Sequence, residues 1–457
     1  MRLKETDNIE MEIAIKLSQF LLSLSILIIL HELGHFIPAK IFKTRVEKFY
    51  LFFDINFSLY KKKIGETVYG IGWLPLGGYV KISGMIDESM DTEQMQQEPQ
   101  PWEFRSKPTW QRLIIMLGGV IVNFILAFII YIGMTFYYGE QYIANAELKD
   151  GVAIENPTMQ EIGFKTGDKI VSVDGKPIER LDQSISEKIL MAKSVVINRD
   201  GADKEIKLPV NFIDKLLSGP KMPLAELRMP FAIGAIPSDS QNQNLKSKDI
   251  IISINGQKTK YFDEVKPILD SNKGKVLTAV VLRDEKEVSL PVTVNKEGKL
   301  GVQLGGISMD SLEKLGYYKV SKQEYGFFES FPVGIDRGFT QLGNYGKQLK
   351  AIFNPSTGAY KGVGGFKAIF DIFPKTWSWE AFWGITALLS IMLGVMNLLP
   401  IPALDGGHVM FLLYEMVSGK KPSDKFMERA QMVGIILLIS LLLFANGNDI
   451  YKAIFRK

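Results

Sequence analysis

The 457-residue chain alternates between two kinds of pattern. Long apolar runs with few charges lie toward both ends. Between them is a charged stretch whose short segments alternate aliphatic and polar positions. Four runs predict membrane-spanning helices: about Ile13 to Ile37, Leu113 to Tyr137, Phe382 to Leu399 and Met432 to Phe444. The fourth is short for a span and predicts help from its flanks or a thin local bilayer. The first lacks a small-residue cleavage site, which predicts a retained span and not a signal peptide. Residues 1–10 read as an extension before a second methionine, Met11, and an alternative start.

The middle of the chain is a duplication. The segment Gly167-Asp168-Lys169-Ile170-Val171-Ser172-Val173-Asp174-Gly175 is echoed 81 residues later by Lys248-Asp249-Ile250-Ile251-Ile252-Ser253-Ile254-Asn255-Gly256. In each copy alternating aliphatics predict a strand, and Asp-Gly or Asn-Gly predicts a tight hairpin turn. Two small β-rich domains are expected, at 141–225 and 226–310, between an N-terminal membrane part (1–140) and a C-terminal one (381–457). Within 311–380, Ile335, Phe339, Leu342, Leu349, Ile352 and Phe353 predict an amphipathic helix, either on the membrane surface or packed on the second copy.

Charge orients this layout. Eleven Lys and Arg lie between spans one and two, and Lys420, Lys421, Lys425 and Arg429 lie between spans three and four. Both loops are therefore expected on the cytoplasmic side, with the duplicated region outside. The net charge of +4 gives no reason to expect nucleic acid, and the absence of cysteine excludes disulfides and thiolate metal ligands.

All three histidines of the chain sit in short motifs within apolar surroundings. In His31-Glu32-Leu33-Gly34-His35 two imidazoles stand one helical turn apart, where both can reach one zinc ion. Glu32 is the candidate general base for a water that attacks a peptide carbonyl. No third histidine follows at a usual spacing, and a catalytic zinc wants three protein ligands. Asp405, in Leu404-Asp405-Gly406-Gly407-His408, is the best candidate, because a carboxylate at membrane depth is costly unless paired or coordinating. The alternative is a buried structural carboxylate. His408 is left open as a ligand, a partner behind a ligand, or a packed helix residue. Gly77, Gly78, Tyr79, Val80 and Lys81 predict a strand or hairpin near the membrane where another backbone could approach. Asn397 could bond a substrate carbonyl or a neighbouring helix.

With these motifs in order, including Asn397-Leu398-Leu399-Pro400-Ile401-Pro402 before Asp405, the chain resembles the bacterial site-2 protease family of the RseP type. The resemblance spans nearly the whole chain. It implies a polytopic α-helical membrane protein of four transmembrane helices, with a membrane-associated β-hairpin segment and two inserted PDZ-like domains. It further implies zinc held by His31, His35 and Asp405, catalysis by Glu32, and substrate near Gly77 to Lys81, Asn397 and Pro402. Expected partners are the lipid bilayer and single-span membrane proteins already shortened outside the membrane, such as anti-sigma factors or remnant signal peptides. The expected location is the bacterial inner membrane, with the zinc site near its cytoplasmic side. Two segments depart from the family pattern: Gly118-Gly119 lacks the expected proline, as does Val363-Gly364-Gly365-Phe366. An inactive PDZ scaffold and a metal transporter are the competing readings. Against the first stands the intact motif set, and against the second the scarcity of polar residues in spans two and four.

Overall fold

The uncharged apolar runs become helices because, without water, backbone groups must bond within their own segment. In the computed structural model, which describes residues 2–85, 98–182 and 184–455, the chain divides into two units. One comprises 1–139, 324–350 and 362–457; the other comprises 140–323 and 351–361.

The first unit begins with helix α1 (Arg2–Ile41), followed by strands β1 (Val46–Leu51), β2 (Phe53–Ile64), β3 (Thr67–Leu74) and β4 (Tyr79–Ile82), then helix α2 (Thr109–Tyr138). After the second unit the chain returns in α3 (Ser330–Ile352), α4 (Phe366–Asp371), α5 (Trp379–Leu398), α6 (Asp405–Ser418) and α7 (Asp424–Phe455). Among the described residues four helical stretches are long and apolar enough to cross a membrane: Glu10–Ile41, Thr109–Tyr138, Trp379–Leu398 and Lys425–Ile454. The fourth is longer than its apolar run predicts, because the helix continues through polar flanks that have work elsewhere. Asp449 accepts from the amides of Gly365 and Ala368, and Asn446 from that of Phe366, so α7 satisfies the amino end of α4.

The strands form one sheet in the order β2-β3-β1-β4, with β1 and β3 parallel and β4 at an edge. Residues 71–81, expected to form a strand or hairpin, supply the end of β3 and most of β4, but they do not form a hairpin: both strands pair with β1, which lies between them. The amphipathic helix α3 packs on the membrane helices. Gly334 and Gly338 admit Ile132 and Phe128 of α2, the Phe339 ring lies tilted against that of Phe128 with centroids 5.1 Å apart, and Arg337 donates to Thr135 Oγ1 at 3.0 Å.

The second unit holds the two copies. Strand Lys169–Val173 turns at Asp174-Gly175, and strand Ile250–Ile254 turns at Asn255-Gly256; all four turn residues have positive φ, as the sequence pattern requires. Each copy also repeats one ion pair. Arg199 clasps Asp168 at 2.7 and 2.8 Å, and Arg283 clasps Asp249 at 2.7 and 2.6 Å. Residues 311–323, expected in the linker, contribute Leu312 and Tyr318 to the core of the first copy, and strand Ser321–Gln323 pairs with Glu140–Ala144. The reason is closure: pairing the entry and exit strands satisfies backbone groups at both ends of the insertion.

Asp249 is 1 % exposed, so removing Arg283 leaves a buried carboxylate with no counter-ion, held among the described residues only by the Lys246 amide. Arg283→Leu is expected to cost about 3–5 kcal/mol of local stability in the second copy. Hydrogen exchange should accelerate at Ile250–Ile254 and stay unchanged at Lys169–Val173.

Candidate metal centre and active site

The site starts from helix periodicity. Residues four apart on α1 share a face, so His31 and His35 stand together, with ring centroids 4.9 Å apart. What faces them is set by a close crossing of α1 and α2. A side chain at Gly34 or Gly118 would strike the other helix's backbone, so glycine at both positions lets the two chains meet. This brings the Ile115 carbonyl within 2.8 Å of His35 Nδ1 and Asn123 within 3.0 Å of His31 Nδ1.

The third side comes from the break after α5. Pro400 and Pro402 end that helix, Ala403 takes φ of 82°, and Gly406 and Gly407 tuck against the carbonyls of residues 398–401. The chain thereby doubles back and begins α6 at Asp405, whose Oδ2 lies 3.4 Å from His31 Nε2 and 3.3 Å from His35 Nε2. The two Nε2 atoms are 3.4 Å apart.

These distances test the fit of a metal. Bonds of about 2.0–2.1 Å to a tetrahedral zinc put ligand atoms roughly 3.3–3.4 Å apart, along the tetrahedron's edges. The chemistry agrees. His35 Nδ1–H donates to the Ile115 carbonyl, which leaves the Nε2 lone pair facing inward. Asp405 Oδ2 is buried without a hydrogen-bond partner, as is Asn123 Oδ1. Turning the Asn123 amide over would place its oxygen on a protonated His31 Nδ1, again leaving Nε2 as the inward donor. Three lone pairs converging at this spacing repel one another unless a cation lies among them. Among the described residues His31, His35 and Asp405 form the metal-sized donor cluster. His408 lines the adjacent cleft without joining it.

The cleft has a volume of about 580 Å³. Glu32 lies in its wall, and the Val80 amide of β4 donates to the Glu32 carboxylate. Gly77 to Lys81 and Asn397 line it as well, with the Asn397 amide 3.2 Å from His31 Nε2. Gly78 packs against Ile28 and Glu32 of α1, which draws the β4 edge onto the site. Pro402 is not among the lining residues; its carbonyl abuts Gly434 of α7. Asn123 was legible in the sequence only as a polar residue within an apolar run.

The model of peptidase family M50 matches residues 19–441. The chain belongs to this family of site-2 proteases. As a member of M50 it is a zinc metalloprotease and a membrane protein. It is 28% identical to the Regulator of sigma-E protease RseP of Escherichia coli K12 over 467 residues, covering 95% of this chain and 98% of that one. Two proteins named "Putative zinc metalloprotease" are similar over comparable lengths. That of Fusobacterium nucleatum is 26% identical, covering 94% of this chain and 96% of its own. That of Campylobacter jejuni is 28% identical, covering 95% and 92%.

Proposed function

We propose that this M50 protease cuts a peptide bond within the membrane-spanning segment of single-span proteins already shortened outside the membrane, of the anti-sigma-factor or remnant-signal-peptide class. The observation that carries this reading is the cleft itself: a three-donor metal triangle and Glu32 face the edge strand of a sheet.

A transmembrane helix shields its own carbonyls, so it must be unwound before it can be cut. An edge strand offers the replacement, since an added strand recovers in the β-ladder the hydrogen bonds lost from the helix. β4 would hold the substrate extended beside Glu32, with Gly77 and Gly78 allowing close approach. Asn397, beside the donor triangle, is placed to bond the carbonyl under attack and keep it there. Zinc, held by His31, His35 and Asp405, supplies the Lewis acidity that makes water nucleophilic at neutral pH. Glu32 takes the proton of the attacking water and returns it to the departing amine.

The location consistent with the basic loops is the inner membrane, with the zinc site toward the cytoplasm and the second unit outside. The duplicated copies, read as PDZ-like, would act there as a size filter that excludes uncut proteins. The test is cleavage of a tagged single-span fragment, shortened outside the membrane, by the purified protein in detergent. Product that disappears with a zinc chelator and returns on adding zinc is expected. Equal cleavage of the unshortened protein would remove the filter, and chelator-resistant cleavage would remove the metal mechanism.

A further inference from the structure

The sheet β1–β4 carries a set of basic side chains: Lys48 and Lys81 line the cleft, whereas Lys61 and Lys63 of β2 have no part in the catalytic reading. Its register sets Lys63 opposite Val68, Val68 opposite Lys48, and Lys48 opposite Lys81. Facing residues on neighbouring strands lie on the same side of a sheet, so these lysines form one row across it. Phe36 of α1 packs on Phe49 and Tyr69, which belong to the other side. The lysine row is therefore on the face turned away from α1. Lys61, opposite Gly70, shares that face. The next row contains Val80, whose amide meets Glu32.

Away from the turn at residues 65–66 that joins β2 to β3, the sheet changes character. Ile55, Phe57 and Leu59 of β2 are 54, 57 and 65 % exposed. Trp73 stacks on Phe57 at 5.8 Å and donates its indole N–H to the Ile55 carbonyl. The sheet runs back alongside α1. Thr67, beside the turn, bonds the Val46 carbonyl just beyond the end of α1, whereas Gly78 at the far end touches Ile28 and Glu32. A basic row thus stands nearer the end of the span, and an exposed apolar band lies deeper.

We infer that anionic phospholipid headgroups of the leaflet at the carboxyl end of α1 bind Lys61 and Lys63, and that this sets the depth at which β4 meets Glu32. The inference rests on the membrane placement given under Proposed function. Ammonium groups above an exposed apolar band match the boundary between headgroups and acyl chains. Lys61 and Lys63 are exposed and make no ion pair among the described residues. An acidic substrate flank fits less well, because cytoplasmic flanks of single-span proteins are rich in Lys and Arg, which this row repels. Since the ladder ties the four strands into one body, holding β2 at the headgroups positions β4.

The chain has no cysteine, so a nitroxide on Ile55→Cys reports from one place. The full-length protein is placed in nanodiscs of phosphatidylcholine with or without phosphatidylglycerol. Label depth is read from collisions with oxygen and with a nickel chelate. The label is expected at acyl depth, and phosphatidylglycerol is expected to move it by about 3 Å, one residue's rise along a strand. kcat/KM for the shortened single-span fragment should rise about fivefold, the equivalent of one lysine–headgroup attraction. Lys61→Gln with Lys63→Gln should abolish both responses, and Lys425→Gln with Arg429→Gln should leave both intact. Equal depth in the two lipids, or a response that survives loss of Lys61 and Lys63, would overturn the inference. So would a lipid-independent preference for acid-flanked substrates that disappears in the double variant. A water-exposed label in every disc would overturn the membrane placement itself, while the detergent assay would still report on the protease.

Discussion

Glu32→Gln is expected to lower kcat by about 10²–10⁴-fold while leaving one zinc per chain, because the substitution removes a proton acceptor and little else. Glu32 is 9 % exposed in the cleft wall and receives the Val80 amide. Glutamine has the same shape and keeps an oxygen for that amide, so β4 should remain in place. The donor triangle is built from other side chains, so the metal should remain as well. Turnover of the shortened single-span fragment is measured beside zinc content. Full turnover in the variant would remove Glu32 from the proton path. Loss of zinc would show that Glu32 supports the metal and leave its catalytic role undecided by kinetics.

The second large effect is expected at a residue with no reactive group. A Cβ on Gly119 would lie 2.6 Å from His31 Cε1 and 2.8 Å from its Nδ1, and closer still to His35 Nε2. The helix cannot yield, because the neighbouring Gly118 already meets the Gly34 carbonyl. Gly119→Ala must therefore push the imidazoles off the triangle. Disturbing the partners that orient a metal's ligands commonly costs 10–100-fold in affinity, and direct displacement of two ligands should cost more than about a hundredfold. Zinc content after dialysis against a competing chelator measures it. Gly133→Ala on the same helix is the control, since nothing lies within 4 Å of a Cβ there. Retention of zinc and activity by Gly119→Ala would mean that the imidazoles are held elsewhere.

The two cases mark the division between sequence and structure. The sequence by itself determined what depends on neighbours along the chain. Helix periodicity puts His31 and His35 on one face, uncharged runs make spans, and Asp-Gly or Asn-Gly makes each copy turn. Asp405 was legible as a costly carboxylate between prolines and glycines, because its surroundings in sequence are its surroundings at that depth. What only the tertiary structure decided depends on contacts between distant segments. These are the meeting of Asp405 with His31 and His35, Asn123 behind His31, the ban on a side chain at Gly119, and the packing of α3 on α2. The pairing order β2-β3-β1-β4 belongs here too, since strand neighbours are chosen across space. Local pattern fixes which face of an element is apolar or polar, but not which element will face it. In this protein the triangle of donors formed by His31, His35 and Asp405 arises where three such faces converge.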